Sequence, residues 1–257
     1  MIITLLLVVT GGLTATVVYL RRRVQTVSAR LAAATTELER VQQACTLLAP
    51  SGVIQRVLSE GLVVAPERRV ATVMFKDLVG YTAMSEKLDA AQVSRVLDGY
   101  FQLVSDAVVE HRGHVGTFLG DGILVYFGAL EPNPWQCNDA VRAALAIRAA
   151  VVDYSRQLQS EGLPAVSIGV GLHRGPGVSG LVGSRDRREY AFIGLTTNIA
   201  ARVQSLTREQ GTDILFTEAV REKLDPRFAL RQLPARPVKG VAEPVVTYAV
   251  EGEKEAE

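Results

Sequence analysis

The sequence predicts a mixed α+β domain of ferredoxin-like arrangement, preceded by a transmembrane helix and a coiled coil. Three observations support this. Residues 1–20 carry no charge, apolar residues recur at alternating spacings of three and four over 21–50, and strands alternate irregularly with helices over 69–250. A chain of 257 residues, 48% of them hydrophobic, is long enough for one well-buried domain with attached helices.

The amino-terminal segment 1–20 has the length and composition of a membrane-spanning helix, since a helix of about 20 apolar residues crosses a bilayer core. Arg21, Arg22 and Arg23 follow it, and the positive-inside rule places such a cluster in the cytoplasm. A cleaved signal peptide is the alternative, but it carries its positive charge before the apolar stretch. We therefore expect a single-pass anchor in the inner or plasma membrane, with the rest of the chain in the cytoplasm.

A seam of apolar residues begins directly after the arginines. Its alternating spacing is typical of a left-handed coiled coil and predicts a parallel dimer over residues 21–50. An amphipathic helix packed on its own domain would show a wider stripe. Pro50 and Gly52 end the seam, and residues 51–68 are expected to form a short connecting helix and a linker. The seam residues are Val24, Val27, Leu31, Ala34, Leu38, Val41, Cys45 and Leu48.

The predicted domain over 69–250 opens with a buried strand at 70–75 and a helical region at 85–110. Two apolar segments around Asp121-Gly122 predict a hairpin, because Asp-Gly is a strong turn signal. This order of elements is ferredoxin-like. The later elements are a helix at 140–158, a strand at 166–172, a helix at 198–208, a strand near 214, a helix at 218–223, a strand at 245–250 and a disordered acidic tail at 251–257.

The charge balance argues against a nucleic-acid partner. The chain has 28 Lys and Arg against 27 Asp and Glu, whereas nucleic-acid binders usually show a basic excess. Cys45 and Cys137 are far apart and match neither zinc-ligand spacing nor a disulfide framework.

Two aspartates are the first candidates for chemistry. Asp77 ends the first strand and Asp121 lies at the hairpin tip, so both should meet at one edge of the sheet. An Asp at a hairpin tip is also simply a good turn residue, but Asp77 has no such explanation. Two carboxylates in an apolar setting repel each other unless a cation lies between them, and magnesium prefers carboxylate oxygens and phosphate. The backbone N–H groups of Val79, Gly80, Tyr81 and Thr82, which open a helix, would suit phosphate oxygens.

Four segments resemble the class III nucleotide cyclases, the adenylate and guanylate cyclase family. The segments 75–82 (FKDLVGYT) and 118–122 (FLGDG) resemble the two metal motifs. Segment 194–202 (GLTTNIAAR) resembles the one that supplies an asparagine and an arginine, and 238–240 (VKG) resembles the one that supplies a lysine. Each motif alone is weak, but four in the family's order are a strong signal.

The resemblance implies a cyclisation in which the ribose 3′-hydroxyl attacks the α-phosphorus and pyrophosphate leaves. It assigns two Mg²⁺ or Mn²⁺ ions to Asp77, Asp121 and the backbone carbonyl of Leu78. Asn198 would orient the ribose, Arg202 would balance charge on the α-phosphate, and Lys239 would neutralise the terminal phosphates. Taken alone, Arg202 would be a surface ion-pair residue and Lys239 a solvated loop charge.

The resemblance also implies a homodimer with shared active sites. In this family one subunit supplies the metal aspartates and the other supplies the asparagine, arginine and lysine. The coiled coil would raise the local concentration of the second subunit. We expect signals to enter through the membrane helix, from the bilayer or from a partner protein in the membrane.

The positions that read the base depart from the family pattern. Adenylate cyclases have a lysine paired with an aspartate or threonine, and guanylate cyclases have a glutamate and a small polar residue. This chain has Thr117 and Ala191, so its base selectivity should be relaxed. ATP is the expected substrate by family frequency, followed by GTP. The alternative is a catalytically degenerate cyclase domain that senses nucleotide or dimerises, and a polymerase-type or diguanylate cyclase palm is a more distant one.

Overall fold

The computed structural model describes residues 19–41, 53, 65–184 and 188–254. The chain divides into two compact units, Met1–Ile54 and Gln55–Glu257. The first contains helix α1 over residues 19–41. Val24, Val27, Leu31 and Leu38 of the predicted seam are all exposed on it. The rest of the seam beyond 41 and most of the predicted linker 51–68 lie outside the described residues.

The predicted membrane localisation is contradicted. Across the four described ranges, no helix is both long and apolar enough to cross a bilayer. Helix α1 has sufficient length, but Arg21–Arg23, Arg30 and Glu37 make it polar. The predicted transmembrane helix over 1–20 falls almost entirely on residues 1–18, which lie outside the described part of the chain.

The second unit is a mixed α+β domain. The predicted hairpin, central helices and first and last strands are all present. The predicted helical region over 85–110 is occupied by the end of a short helix at Tyr81–Ser85 and by a long helix at Ala90–Glu110. Its strands are β1 (Glu67–Leu78), β2 (His114–Leu119), β3 (Gly122–Phe127), β4 (Ile168–Gly183), β5 (Arg188–Ile193), β6 (Ile214–Thr217), β7 (Phe228–Arg236) and β8 (Val245–Glu253). Its helices are α2 (Tyr81–Ser85), α3 (Ala90–Glu110), α4 (Gln136–Ser160), α5 (Leu195–Glu209) and α6 (Glu218–Arg221).

The strands form one sheet in the order β2-β3-β1-β4-β6-β8-β7, and β5 pairs with β4 outside this path. β1 is antiparallel to both β3 and β4 and has buried residues on both faces. Because side chains alternate along a strand, Met74 joins the core that contains α3 and α4 residues, while Val73 packs with Ala200 of α5 on the opposite face. The sheet therefore separates α3 and α4 from α5.

Strands β5 and β7 were not predicted. β7 contains Pro234, which argues against a strand, but β7 is the last strand in the order and proline is tolerated at a sheet edge. β8 continues to Glu253, three residues into the predicted acidic tail, whose residues 255–257 lie outside the described part.

Candidate active site

Asp77 and Asp121 lie at the same edge of the sheet. Asp77 is the penultimate residue of β1, and Asp121 is in the turn between β2 and β3. β1 pairs with β3 up to Lys76 opposite Ile123, which brings the turn beside the end of β1. The backbone N–H of Leu78 donates to Oδ2 of Asp121 at 3.2 Å. The hairpin turn is therefore fastened to the residue that follows Asp77.

The electrostatics of this edge suit a cation. Burial raises the pKa of Asp77 from 3.8 to about 6; nearby Arg208 opposes this shift, and the charge of Asp121 adds to it. A carboxylate that is costly to ionise beside another carboxylate is stabilised by a bound positive ion. Among the described residues, no group of three or more His, Cys, Asp or Glu could hold a metal. Two carboxylates suit magnesium, which takes few protein carboxylates and completes its shell with phosphate and water.

The turn after β1 leads into the short helix α2. Gly80 has a φ of 79°, a left-handed conformation that favours glycine. Of the four N–H groups predicted to meet phosphate, that of Val79 already donates to the carbonyl of Ser167 at 2.9 Å. The phosphate role of Gly80, Tyr81 and Thr82 stays a prediction.

Asn198, Arg202 and Lys239 belong to a second group of residues. Asn198 and Arg202 lie on α5, one turn apart, and Asn198 is exposed. A Cβ placed on Gly240 would be 3.0 Å from Nη1 of Arg202, so the guanidinium lies against the residue after Lys239. That Nη1 is buried and finds no hydrogen-bond partner within the described ranges. Val238 fixes the loop by packing into the cluster that contains Ile199 and Val203 of α5.

Comparison with known proteins is consistent with this arrangement. The adenylate and guanylate cyclase catalytic domain matches residues 63–252. The chain belongs to this family. It is 31% identical over 238 residues to an adenylate cyclase of Anabaena cylindrica, covering 88% of this chain and 46% of that protein. It therefore spans about half the length of that relative.

Two solved structures are similar to the cyclase domain. The guanylyl cyclase Cya2 is 32% identical with a TM-score of 0.68, over 75% of this chain and 96% of that one. The adenylyl cyclase CyaB from P. aeruginosa is 25% identical with a TM-score of 0.70, over 74% and 98%. The predicted cyclase-type α+β fold is thereby confirmed.

The two positions predicted to read the base lie on different strands of the cyclase domain. Thr117 is on β2 opposite Leu124, and Ala191 is on β5 opposite Gly180. The Tyr126 ring packs against a neighbour of each position, Phe192 and Gly116. Its centroid is 6.0 Å from that of Phe192, and its edge would be 2.4 Å from a Cβ on Gly116. Both positions are only partly buried.

The cyclase domain has two further residues at the acidic edge that sequence reasoning missed. The side-chain amide of Gln204 donates to Oδ1 of Asp77 at 2.5 Å, and Nη2 of Arg208 lies 3.9 Å from Oδ2. Gln204 and Arg208 come four and eight residues after Ala200, which packs on the sheet. This helical spacing was the available signal, but it gives no hint of which strand the side chains face.

Proposed function

We propose that this chain is a homodimeric nucleotide cyclase that converts a ribonucleoside triphosphate to its 3′,5′-cyclic nucleotide and pyrophosphate. The single observation that carries the proposal is the bond between the Leu78 N–H and Asp121, which joins both acidic motifs beside Asp77. The family match over 63–252 supports the reaction class. ATP is the first expectation, because the curated relative named above is an adenylate cyclase.

The reaction is an in-line displacement at the α-phosphorus. The 3′-oxygen forms a bond to phosphorus, the bond from phosphorus to the bridging oxygen of the β-phosphate breaks, and the hydroxyl proton passes to solvent. Two Mg²⁺ or Mn²⁺ ions, when bound, supply Lewis acidity toward the hydroxyl and the triphosphate. Asp77, Asp121 and the Leu78 carbonyl would hold them.

The remaining residues bind and orient the substrate. Asn198 holds the ribose, and Arg202 stabilises the charge that grows on the α-phosphate. Lys239 binds the terminal phosphates. The guanidinium of Arg202 lies beside Gly240, which follows Lys239, so the Arg202 and Lys239 side chains can contact the same triphosphate.

In the proposed dimer, each site combines Asp77 and Asp121 of one subunit with Asn198, Arg202 and Lys239 of the other. We propose that α1 aids this pairing as a parallel coiled coil. Its exposed apolar seam supports the idea, because such a surface is stabilised by burial against a second copy.

The test uses the full chain with each of the four ribonucleoside triphosphates and magnesium or manganese, with products identified by mass spectrometry. A cyclic nucleotide is expected from at least one substrate. Asp77→Ala and Asn198→Ala/Arg202→Ala chains should each be inactive, and mixing them should restore one complete site per dimer. Absence of any cyclic product would refute the activity, and failure of mixing to restore it would refute the shared site.

A paired substitution tests the coil separately. Leu31→Glu with Leu38→Glu places charges in the seam and should shift the chain toward monomer in sedimentation velocity. Ala33→Glu with Thr36→Glu alters the same helix outside the seam and is the matched control. Equal association of both variants would refute a role for the seam.

A further inference from the structure

The carboxylate of Asp77 is held by a residue of its own chain to which neither the motifs nor the family comparison draws attention. The amide nitrogen Nε2 of Gln204 lies 2.5 Å from Oδ1 of Asp77. Gln204 is only 3% exposed, so water does not compete freely for this hydrogen bond. Oδ2 faces Arg208, which lies at 3.9 Å and has a side chain 57% exposed.

Two glycines of β4 make room for this contact. Gly169 is the strand partner of Asp77, and a Cβ there would be 2.7 Å from Nε2 of Gln204 and 3.4 Å from Oδ1 of Asp77. At Gly171, a Cβ would be 2.1 Å from the backbone nitrogen of Gln204. Helix α5 therefore approaches β4 to backbone distance at the level of the acidic edge.

The same helix carries residues for both kinds of half-site. Asn198 lies near the start of α5 (Leu195–Glu209) and Arg202 at its midpoint, and Gln204 follows Arg202 by about half a turn. Under the proposed function, Asn198 and Arg202 serve one active site of the dimer. Asp77, which Gln204 contacts, serves the other.

We propose that Gln204 is a positioning residue that fixes the orientation of the Asp77 carboxylate for metal binding by donating its amide N–H to Oδ1. This inference rests on the proposed function, because it assigns the metal to Asp77. A ligating carboxylate is commonly oriented by a hydrogen bond from a neighbouring residue, and loss of such a bond costs about 10-fold to 100-fold in metal affinity.

The first test measures metal binding without turnover. Mn²⁺ binding is followed by electron paramagnetic resonance in the presence of a 3′-deoxynucleoside triphosphate, which cannot cyclise. Gln204→Ala should weaken Mn²⁺ binding about 10-fold or more. Ser205→Ala, an exposed substitution on the same helix, is the control and should bind Mn²⁺ as the parent does.

The second test locates the effect in one subunit. An Asp77→Ala chain is mixed with an Asn198→Ala/Arg202→Ala chain, so that one complete site takes its Asp77 from the second chain. Gln204→Ala should raise the metal concentration for half-maximal activity when placed in the second chain and leave it unchanged in the first. An equal effect in both chains would mean that the substitution disturbs α5 as a whole, and it would refute a specific role of Gln204 at the Asp77 of its own chain.

Unchanged Mn²⁺ affinity in a folded Gln204→Ala protein overturns the proposal. Should that variant fail to fold, Gly169→Ala serves instead, because its methyl group would displace the end of the Gln204 side chain, and it should weaken Mn²⁺ binding in the same direction. A parent chain that yields no cyclic nucleotide would refute the proposed function. An active parent whose variants bind Mn²⁺ with unchanged affinity would refute only the role of Gln204.

Discussion

Replacing Gly171 by alanine should both destabilise the domain and slow turnover. The added Cβ would lie 2.1 Å from the backbone nitrogen of Gln204 and 2.4 Å from the carbonyl oxygen of Ala200. Both neighbours are helix backbone, so α5 has to retreat from β4 by about 1 Å to restore van der Waals contact. Overpacking of this kind costs about 1–3 kcal/mol, or more where rigid backbone blocks relief.

The expected consequences follow from that displacement. A loss of about 3 kcal/mol in a domain of this size lowers the Tm by about 6–12 °C. Turnover should fall about 100-fold at a temperature where the variant is folded, because a misplacement of about 1 Å has that effect on reacting groups and α5 carries Asn198 and Arg202.

Thermal unfolding and cyclic-nucleotide formation are the two measurements. Gly252→Ala is the control, since a Cβ there meets no atom within 4 Å, and it should retain parental Tm and turnover. A Gly171→Ala protein with the Tm of the parent would show that α5 does not press on β4 as described.

Three further outcomes are expected. Asp89→Ala removes the cap that accepts the N–H of Gln92 at the start of α3, and should lower stability by about 1 kcal/mol in urea unfolding. Lys76→Met should raise the Tm. The buried Nζ of Lys76 lies 4.2 Å from the ring centroid of Tyr100 and has no hydrogen-bond partner in the described part of the chain. Burial of a polar group without a partner costs about 1–3 kcal/mol. Burial lowers the pKa of His173 from 6.5 to about 4. As the pH falls, the imidazole is therefore protonated in the unfolded chain before it is protonated in the folded one. About 3 kcal/mol of the free energy of unfolding that is present above pH 6.5 is lost as the pH falls toward 4. His173→Asn should lose less stability than the parent between pH 7 and pH 4.5; equal losses would contradict the assignment.

Local patterns predicted much of the domain. The Asp-Gly turn predicted the β2–β3 hairpin, and apolar spacing predicted α3 and α4. β7 was not predicted; its Pro234 is unfavourable inside a sheet, and the place of β7 as the last strand in the order makes it acceptable. The predicted membrane localisation was wrong, because no helix in the described ranges is long and apolar enough to cross a bilayer.

The sequence by itself determined which residues are candidates for the chemistry of the site. Short motifs that resemble those of the family predict Asp77, Asp121, Asn198, Arg202 and Lys239 as site residues, because each motif joins the predicted side chain to the turn or helix that presents it.

Only the tertiary structure decided what surrounds Asp77. The contact with Gln204 joins residues 127 positions apart, and it exists because α5 lies at backbone distance from the glycines of β4. No periodicity or local motif encodes such a contact, since it depends on which strand a helix covers and how closely the two approach.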